Sequence, residues 1–198
     1  LVAHVLVPPA MRALLTNPDI RIDGFLAAGH VCTVMGYEEY IPISKEFLIP
    51  MAVTGFEPVD ILLGIQKTVA MLEKGIADVE NAYPRSVKKE GNLKARALLD
   101  QVFKAGDRSW RGIGNIPQSG LELQERYKRF DAGILPGIEN IHSSESQHCI
   151  AGEILTGIKK PGDCSAFGTL CLPEKPLGAP MVSSEGACAA YYKYSRVT

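Results

Sequence analysis

The sequence predicts a layered α/β domain with a mostly parallel sheet, and two observations support this prediction. The run "PMAVTG" (residues 50–55) is typical of a buried strand that ends in a glycine turn. The next segment, residues 57–75, repeats apolar residues at intervals of three and four, which is helical spacing. A strand followed by a helix, and repeated along the chain, indicates parallel strands joined by helical crossovers in a Rossmann-like arrangement.

The other elements of the first half continue this alternation. "LVAHVLVPP" predicts a strand that leads into a helix with proline in its first turn. Ile20–Ala28 and "VENAYPRSV" predict two further strands. The helix in residues 57–75 has a suitable end at Lys74 and Gly75, because a cation lies near the last carbonyls and glycine readily adopts the left-handed conformation that ends a helix.

Later segments are less regular. A helix is expected to start after Asn92 and to end at Gly106, followed by a glycine-rich extended stretch and a short helix, "QERYKRFDAG". In parallel sheets, ligands bind beyond the carboxyl ends of the strands. The turns expected there are "AAGHVCTVMG" and "VTGFEPVD", which place His30 and Glu57 at a candidate binding edge.

Composition argues against several classes of partner. The 198 residues include 21 Lys and Arg against 22 Asp and Glu, a net charge of −1. There is no basic stripe or polybasic tail, so we expect binding neither to nucleic acid nor to a membrane. No run approaches the roughly 18 apolar residues of a membrane span, and the first residues lack the basic leader of a signal peptide. We therefore expect a cytoplasmic protein.

The chain changes character near residue 137, where we predict a domain boundary between residues 1–137 and residues 138–198. The tail has little periodicity and is rich in Gly, Pro and Cys. A segment of about 60 residues buries little apolar surface and often needs a cross-link or a metal.

Four of the five cysteines lie in this tail, in the pattern Cys149-x14-Cys164-x6-Cys171-x16-Cys188. Grouped cysteines in a protein without secretion signals indicate metal or redox chemistry. The close Cys-x2-Cys pair of zinc ribbons is absent, and zinc and an iron–sulfur cluster both accept four sulfurs. Because free cysteine also packs well in cores, four buried apolar thiols remain an alternative.

Several long stretches resemble the HypD family of hydrogenase maturation factors: "IDGFLAAGHVCTVMG", "VTGFEPVDIL", "VENAYPRSVKKEGN", "SWRGIGNIPQSGLEL" and "PGDCSAFGTLCLPEKPLGAPMVSSEGACAAYYKY". The resemblance runs from Leu1 to the end of the chain. It implies a scaffold that acts with a HypC-type chaperone and a HypE-type cyanide donor. On this scaffold the Fe(CN)2CO centre of nickel–iron hydrogenases is assembled. Such a protein is an assembly and redox factor and not a conventional enzyme.

The resemblance also assigns the tail cysteines. It implies that Cys149, Cys164, Cys171 and Cys188 hold a 4Fe-4S cluster in an iron–sulfur domain, for electron relay or thiol–disulfide exchange. It further implies that the family's N-terminal α/β domain has no counterpart in this sequence, so that this chain corresponds to the second α/β domain and the cluster domain.

This sequence departs from the family pattern at three positions. Ala151 and Pro180 stand where the family usually carries additional cysteines, outside the four-ligand set. Cys32 stands where the family usually has serine, and we interpret it as a packed residue. The cluster ligands are therefore expected to be retained, whereas accessory thiol exchange in the tail is not.

Two further residues are functional candidates. His30 on its own is more often structural, but by resemblance its Gly-His-Val motif faces the central cleft. Glu185 fits a capping acid before the helix "ACAAYYKY", as Glu57 fits a helix-start acid. By resemblance, Met181 and Glu185 approach the iron-binding cleft, where Glu185 contacts a bound cyanide.

Two other functions stay open from the residues alone. One is a zinc-stapled α/β interaction module with no redox role, and its metal would be colourless. The other is an α/β enzyme for small molecules that uses His30 and Glu57, and its activity would survive replacement of all four tail cysteines.

Overall fold

The computed structural model describes residue 1, residues 4–138 and residues 146–195 of the chain. The described strands form two sheets, a parallel one with the order β2-β3-β4 and an antiparallel one with the order β1-β6-β5. The strands are β1 (His4–Val5), β2 (Phe25–Ala28), β3 (Met51–Thr54), β4 (Val79–Asn81), β5 (Phe103–Trp110) and β6 (Gly114–Leu123). The α-helices are α1 (Val7–Leu15), α2 (Gly29–Met35), α3 (Tyr40–Phe47), α4 (Pro58–Glu73), α5 (Leu93–Val102), α6 (Ala151–Leu155), α7 (Ala179–Val182) and α8 (Ala187–Tyr194). Short 3-10 helices span Glu125–Phe130, Ala132–Ile134 and Pro161–Asp163.

The parallel sheet confirms the predicted layered α/β fold. Strand β3 lies in its centre, and all four of its residues are buried. Its neighbours run parallel to it on both sides, with Phe25 of β2 opposite Met51 and Val79 of β4 opposite the same residue. The core beside the sheet also contains Ile43 of α3 and Cys32 of α2, both at most 1 % exposed. Cys32 is thus a packed residue, as expected.

Helix α4 confirms the predicted helix boundaries. Pro58 lies in its first turn, Lys74 is its C-cap residue and Gly75 leaves it with a left-handed φ of +63°. Gly64 lets the helix approach the sheet, since a Cβ there would lie 3.0 Å from Cβ of Thr54. The outward face of this helix stays apolar and exposed at several positions: Val59, Leu62, Ile65, Val69 and Leu72.

Three predicted elements differ in the structure. The strand predicted for Ile20–Ala28 is regular only in its last four residues, and the turn predicted after it is helix α2. The helix predicted to end at Gly106 stops at Val102. Phe103 instead begins strand β5, because it pairs with Leu123 across the antiparallel sheet and is buried there. Pairing between distant residues thus overrides the local helical pattern.

Strands β5 and β6 form a long hairpin that the sequence pattern indicated only as an extended stretch. Near its tip, Trp110 pairs with Gly114, and its indole N–H donates to Oγ of Ser119 at 2.8 Å. Ser119 is fully buried and donates in turn to the carbonyl of Ile116. This hydrogen-bond chain stabilises the tip of the hairpin internally.

The tail has its own small core, built from Ala166, Cys171, Met181, Cys188 and Ala189. It is separate from the core beside the parallel sheet. The predicted domain boundary at 137/138 lies beside residues outside the described ranges and stays a prediction. No helix in the described part of the chain has the length and apolar character needed to cross a bilayer.

An ion pair joins the carboxyl ends of β3 and β4. The guanidinium of Arg85 donates two hydrogen bonds of 2.6 Å to the two carboxylate oxygens of Asp60, whose residue is 3 % exposed. Arg85 also lies 3.2 Å from the exposed Glu57 and 4.4 Å from the ring centre of Tyr83. The hydrogen bonds from Arg85 lower the pKa of Asp60. Asp60, in the first turn of α4, is therefore a partner in a link between two strand ends.

Arg85→Gln is expected to destabilise the chain at neutral pH, because it leaves a buried carboxylate without its counter-ion. Pairing lowers the folded-state pKa of Asp60 below its unfolded value of about 3.9, so the stabilisation is present above that pH and is lost as pH falls through the folded pKa. The difference in urea midpoint between wild type and variant should therefore be largest near pH 7 and shrink towards acid pH, measured by circular dichroism.

Glu57→Gln is the matched control, since it removes the exposed partner of the same arginine. Exposed pairs contribute little, so its urea midpoint should stay close to that of the wild type. A loss in Arg85→Gln that is the same at every pH would contradict the role of the Asp60 charge.

Candidate functional site

The four tail cysteines line one small cavity, which we call the thiol cavity. They reach it from four separate places: Cys149 precedes α6, Cys164 follows the 3-10 helix of residues 161–163, Cys171 lies in a loop and Cys188 lies in the first turn of α8. Residues 68 positions or more after the last strand of the parallel sheet, β4, thus form a second candidate site. The remaining lining is mostly apolar and includes Ile154, Phe167, Leu177, Pro180 and Met181.

The four thiols differ in how far they are buried. Cys171 and Cys188 are each 8 % exposed, whereas Cys149 and Cys164 are intermediate. The backbone N–H of Leu177 donates to Sγ of Cys171 at 3.4 Å. Cys164 has a sulfur–oxygen contact of 3.6 Å with the carbonyl of His148, in which the thiol is the donor. The buried pair and the half-buried pair therefore form an inner and an outer side of the cavity.

Electrostatics show that the sulfurs are close enough to influence one another. Burial raises the pKa of Cys188 to about 11, and the neighbouring Cys171, Cys149 and Cys164 raise it as well. In a metal-free cavity, Cys188 is thus a thiol at neutral pH. A cation bound among these sulfurs would reverse the effect, because a coordinating thiol is deprotonated.

Two glycines allow the chain to fold around these sulfurs. A Cβ at Gly178 would collide with Sγ of Cys149, so the absence of a side chain makes room for that sulfur. A Cβ at Gly186 would collide with the carbonyl of Pro180, so this glycine permits the close turn between α7 and α8. The sequence singled out the cysteines but not Gly178, whose role depends on a contact between residues 29 positions apart.

The cavity as it stands is small, about 20 Å³, so a bound group would displace its lining side chains. Among residues 4–138 and 146–195, no three or more His, Cys, Asp or Glu side chains are arranged to hold a metal ion. All five cysteines lie within the described residues, and none of them forms a disulfide. What the residues do offer is a set of four soft sulfur donors on one apolar cavity, which suits zinc or an iron–sulfur cluster.

His30 lies elsewhere, at the carboxyl edge of the parallel sheet. It is exposed in the first turn of α2, with its ring 5.0 Å from that of Phe56, measured between ring centres. Gly29 makes this position possible, since a Cβ there would lie 2.5 Å from the carbonyl of Thr54. His30 therefore lies on the same edge as Glu57 and Arg85, the position that the strand pattern predicted for it and Glu57.

Glu185 and Met181 occupy different environments. Met181 is 1 % exposed and lines the thiol cavity. Glu185 is exposed in the turn before α8, and its backbone N–H donates to Oγ of Ser183 at 3.2 Å. In the described part of the chain, Glu185 has no contact with His30. The α8 start at Ala187 matches the predicted helix "ACAAYYKY", although no side chain caps it.

Arg85 is the residue near this edge that sequence reasoning missed. The available signal was an arginine and an aspartate shortly after two neighbouring strands: Arg85 follows β4, although the strand predicted for "VENAYPRSV" included it, and Asp60 follows β3. Carboxyl ends of neighbouring parallel strands lie at the same edge of the sheet, so opposite charges placed there can pair.

Comparisons with known proteins cover almost the whole chain. Residues 1–195 match the family model described as HypD, "Hydrogenase formation hypA family". The chain is 44 % identical over 201 residues to hydrogenase maturation factor HypD1 of Bradyrhizobium diazoefficiens, covering 98 % of this chain and 53 % of that protein. It is 43 % identical over 199 residues to hydrogenase maturation factor HypD of Azotobacter vinelandii, with shares of 98 % and 52 %.

A more distant organism gives a similar result. A putative hydrogenase expression/formation protein of Methanocaldococcus jannaschii is 41 % identical over 194 residues, covering 98 % of this chain and 54 % of that protein. The chain thus spans about half the length of the curated relatives it matches.

Proposed function

The chain belongs to the HypD family, and from this membership we propose that it supplies the thiol-bearing part of a hydrogenase maturation scaffold in the cytoplasm. In this role it carries a 4Fe-4S cluster and works with a HypC-type chaperone and a HypE-type cyanide donor. The observation that carries the proposal is the gathering of four cysteines from separate segments onto one cavity.

The donor chemistry fits the proposed cluster. Cys149, Cys164, Cys171 and Cys188 would hold it, which is the number of thiolates that 4Fe-4S clusters use. The N–H of Leu177 directed at Cys171 is a hydrogen bond of the kind that tunes cluster potentials. When bound, the cluster supplies one-electron redox chemistry. The chain's own residues hold it, and their apolar neighbours Phe167 and Met181 exclude water from it.

The Fe(CN)2CO fragment is cargo and not a resident group of this chain. His30 is the described residue best placed to meet it, because it is exposed beyond the carboxyl ends of the parallel strands, where ligands of such sheets bind. A neutral imidazole is a common metal ligand. Glu185 lies in the turn before α8, close in sequence to Cys188, and its proposed contact with a cyanide rests on the family resemblance alone.

Anaerobic purification of the chain is expected to give a brown protein with iron and acid-labile sulfide, each at about four per chain for one 4Fe-4S cluster. Cys164→Ala should lose most of this iron and the visible absorbance, because one of four ligands is gone. The tail should also become more sensitive to protease, because metal binding and folding are coupled. Iron, sulfide and visible spectra are the measurements.

Cys32→Ala is the matched control, since Cys32 is buried in the other core and contacts Tyr40 and not the tail cysteines. It should keep the full iron content. A colourless wild-type protein with one zinc per chain would refute the proposed cluster and support the zinc-stapled alternative. An unchanged iron content in Cys164→Ala would refute the assignment of the cluster ligands.

Gly178→Ala tests the same cavity without removing a sulfur. The added Cβ would collide with Sγ of Cys149, so we expect at least a severalfold loss of bound iron while the helical circular dichroism of the chain is kept. Gly162→Ala is the control, because a Cβ there has only an ordinary contact of 3.7 Å with Tyr191. Equal iron contents in the two variants would contradict the placement of Cys149.

A further inference from the structure

A groove of about 480 Å³ runs between the tip of the β5–β6 hairpin and the tail, and we call it the seam groove. The hairpin contributes residues 109–112 and Gly114, and the tail contributes residues 176–179, Val182, Cys149 and Ala151. This volume lies in the range of sites that take small molecules.

Backbone contacts fix the two sides of the groove relative to each other. Gly112 has a left-handed φ of +82°, and a Cβ there would lie 3.0 Å from Cβ of Ala151. A Cβ at Gly152 would lie 2.6 Å from the carbonyl oxygen of Gly112. The hairpin turn and the start of α6 therefore approach as closely as glycine permits, and the groove is a built feature of the fold.

One thiol belongs to both the groove and the thiol cavity. Cys149 lines the two, together with Leu177 and Gly178. Cys164, Cys171 and Cys188 line the cavity and not the groove. Since Gly178 has no side chain, only its backbone lies against the sulfur of Cys149.

We propose that the seam groove is an entrance to the thiol cavity and that Cys149 is its entrance thiol, the first sulfur met by a small species that arrives through the groove. Arg111 lines the groove, is exposed and has no ion pair within the described residues. Its charge favours small anions, such as the hydrosulfide ion. The choice of hydrosulfide as the species that enters rests on the proposed cluster. The role of the groove as an entrance does not depend on it.

Thiol alkylation of the full chain tests the entrance. The chain is reduced, freed of metal with a chelator under argon and treated with iodoacetamide, and each cysteine is followed by peptide mass spectrometry. Cys149 should be modified roughly tenfold faster than Cys171 and Cys188, because reactivity follows access. Val182→Trp, which enlarges a 58 % exposed side chain in the groove, should slow Cys149 severalfold and leave Cys164 unchanged.

Val59→Trp is the matched control, because Val59 is 66 % exposed on α4, outside the groove. It should change no rate. The proposal is overturned if Cys149 is not alkylated faster than Cys171 and Cys188. It is also overturned if the alkylation rate of Cys149 is the same in Val182→Trp and in Val59→Trp. A chain without iron or sulfide would refute the proposed cluster, yet these alkylation rates would still decide the entrance.

A second measurement covers the case in which the metal-free chain unfolds, seen as lost helical circular dichroism and equal rates at all four thiols. Metal release from the chain as purified is then followed with a coloured chelator. Val182→Trp should slow release severalfold relative to Val59→Trp, and equal release rates would overturn the proposal.

The charge of Arg111 is tested separately. The rate of Cys149 with iodoacetate is divided by its rate with iodoacetamide, so that the thiolate fraction cancels. Arg111→Gln should lower this ratio by about two- to threefold at low ionic strength and have little effect in high salt, where the field is screened. An unchanged ratio at low salt would overturn the preference for anions.

Discussion

The convergence of four sulfur atoms in a tail whose buried core contains few large side chains is the constraint on which the rest of this structure depends. The buried members of the tail core are two alanines, two cysteines and one methionine. Burial stabilises by about 25 cal/mol per Å² of apolar surface, so such small side chains contribute little. A group that binds the folded tail and not the unfolded one would add its binding free energy to stability. The same cysteines that fit a metal are therefore those that the tail needs for its packing.

Backbone contacts hold the tail against the first part of the chain. The N–H of Arg21 donates to the carbonyl of Thr156 at 2.9 Å, and Gly157 follows with a left-handed φ of +73°. On the other side, Gly112 of the hairpin meets Gly152 of α6. Glycine-mediated contacts of this kind allow very close approach but tolerate no side chain, so they fix the position of the thiol cavity with few residues.

Sequence patterns predicted the elements whose causes are local. Helix α4 begins at Pro58 and leaves at Gly75 because proline and glycine act on their own backbone, and β3 is recognisable from its continuous apolar run. The chemistry of the site was also visible, because cysteine is rare enough for four in one tail to stand out. The β5–β6 hairpin and the link between Asp60 and Arg85 were not visible. The hairpin depends on pairing between residues up to 20 positions apart, such as Phe103 and Leu123, and the ion pair joins residues 25 positions apart. Gly178 belongs to the same class, because its role is set by a sulfur that is distant in the sequence.

The departures from the family pattern bear on how such a tail could exchange electrons. By resemblance, Ala151 and Pro180 replace additional cysteines, and both are buried here, one beside the seam groove and the other beside the thiol cavity. Cys149 is then the only thiol that lines the groove. If it also holds the proposed cluster, exchange with a thiol or disulfide arriving through the groove must draw on a cluster ligand. On that premise, thiol exchange and cluster retention would compete for one sulfur.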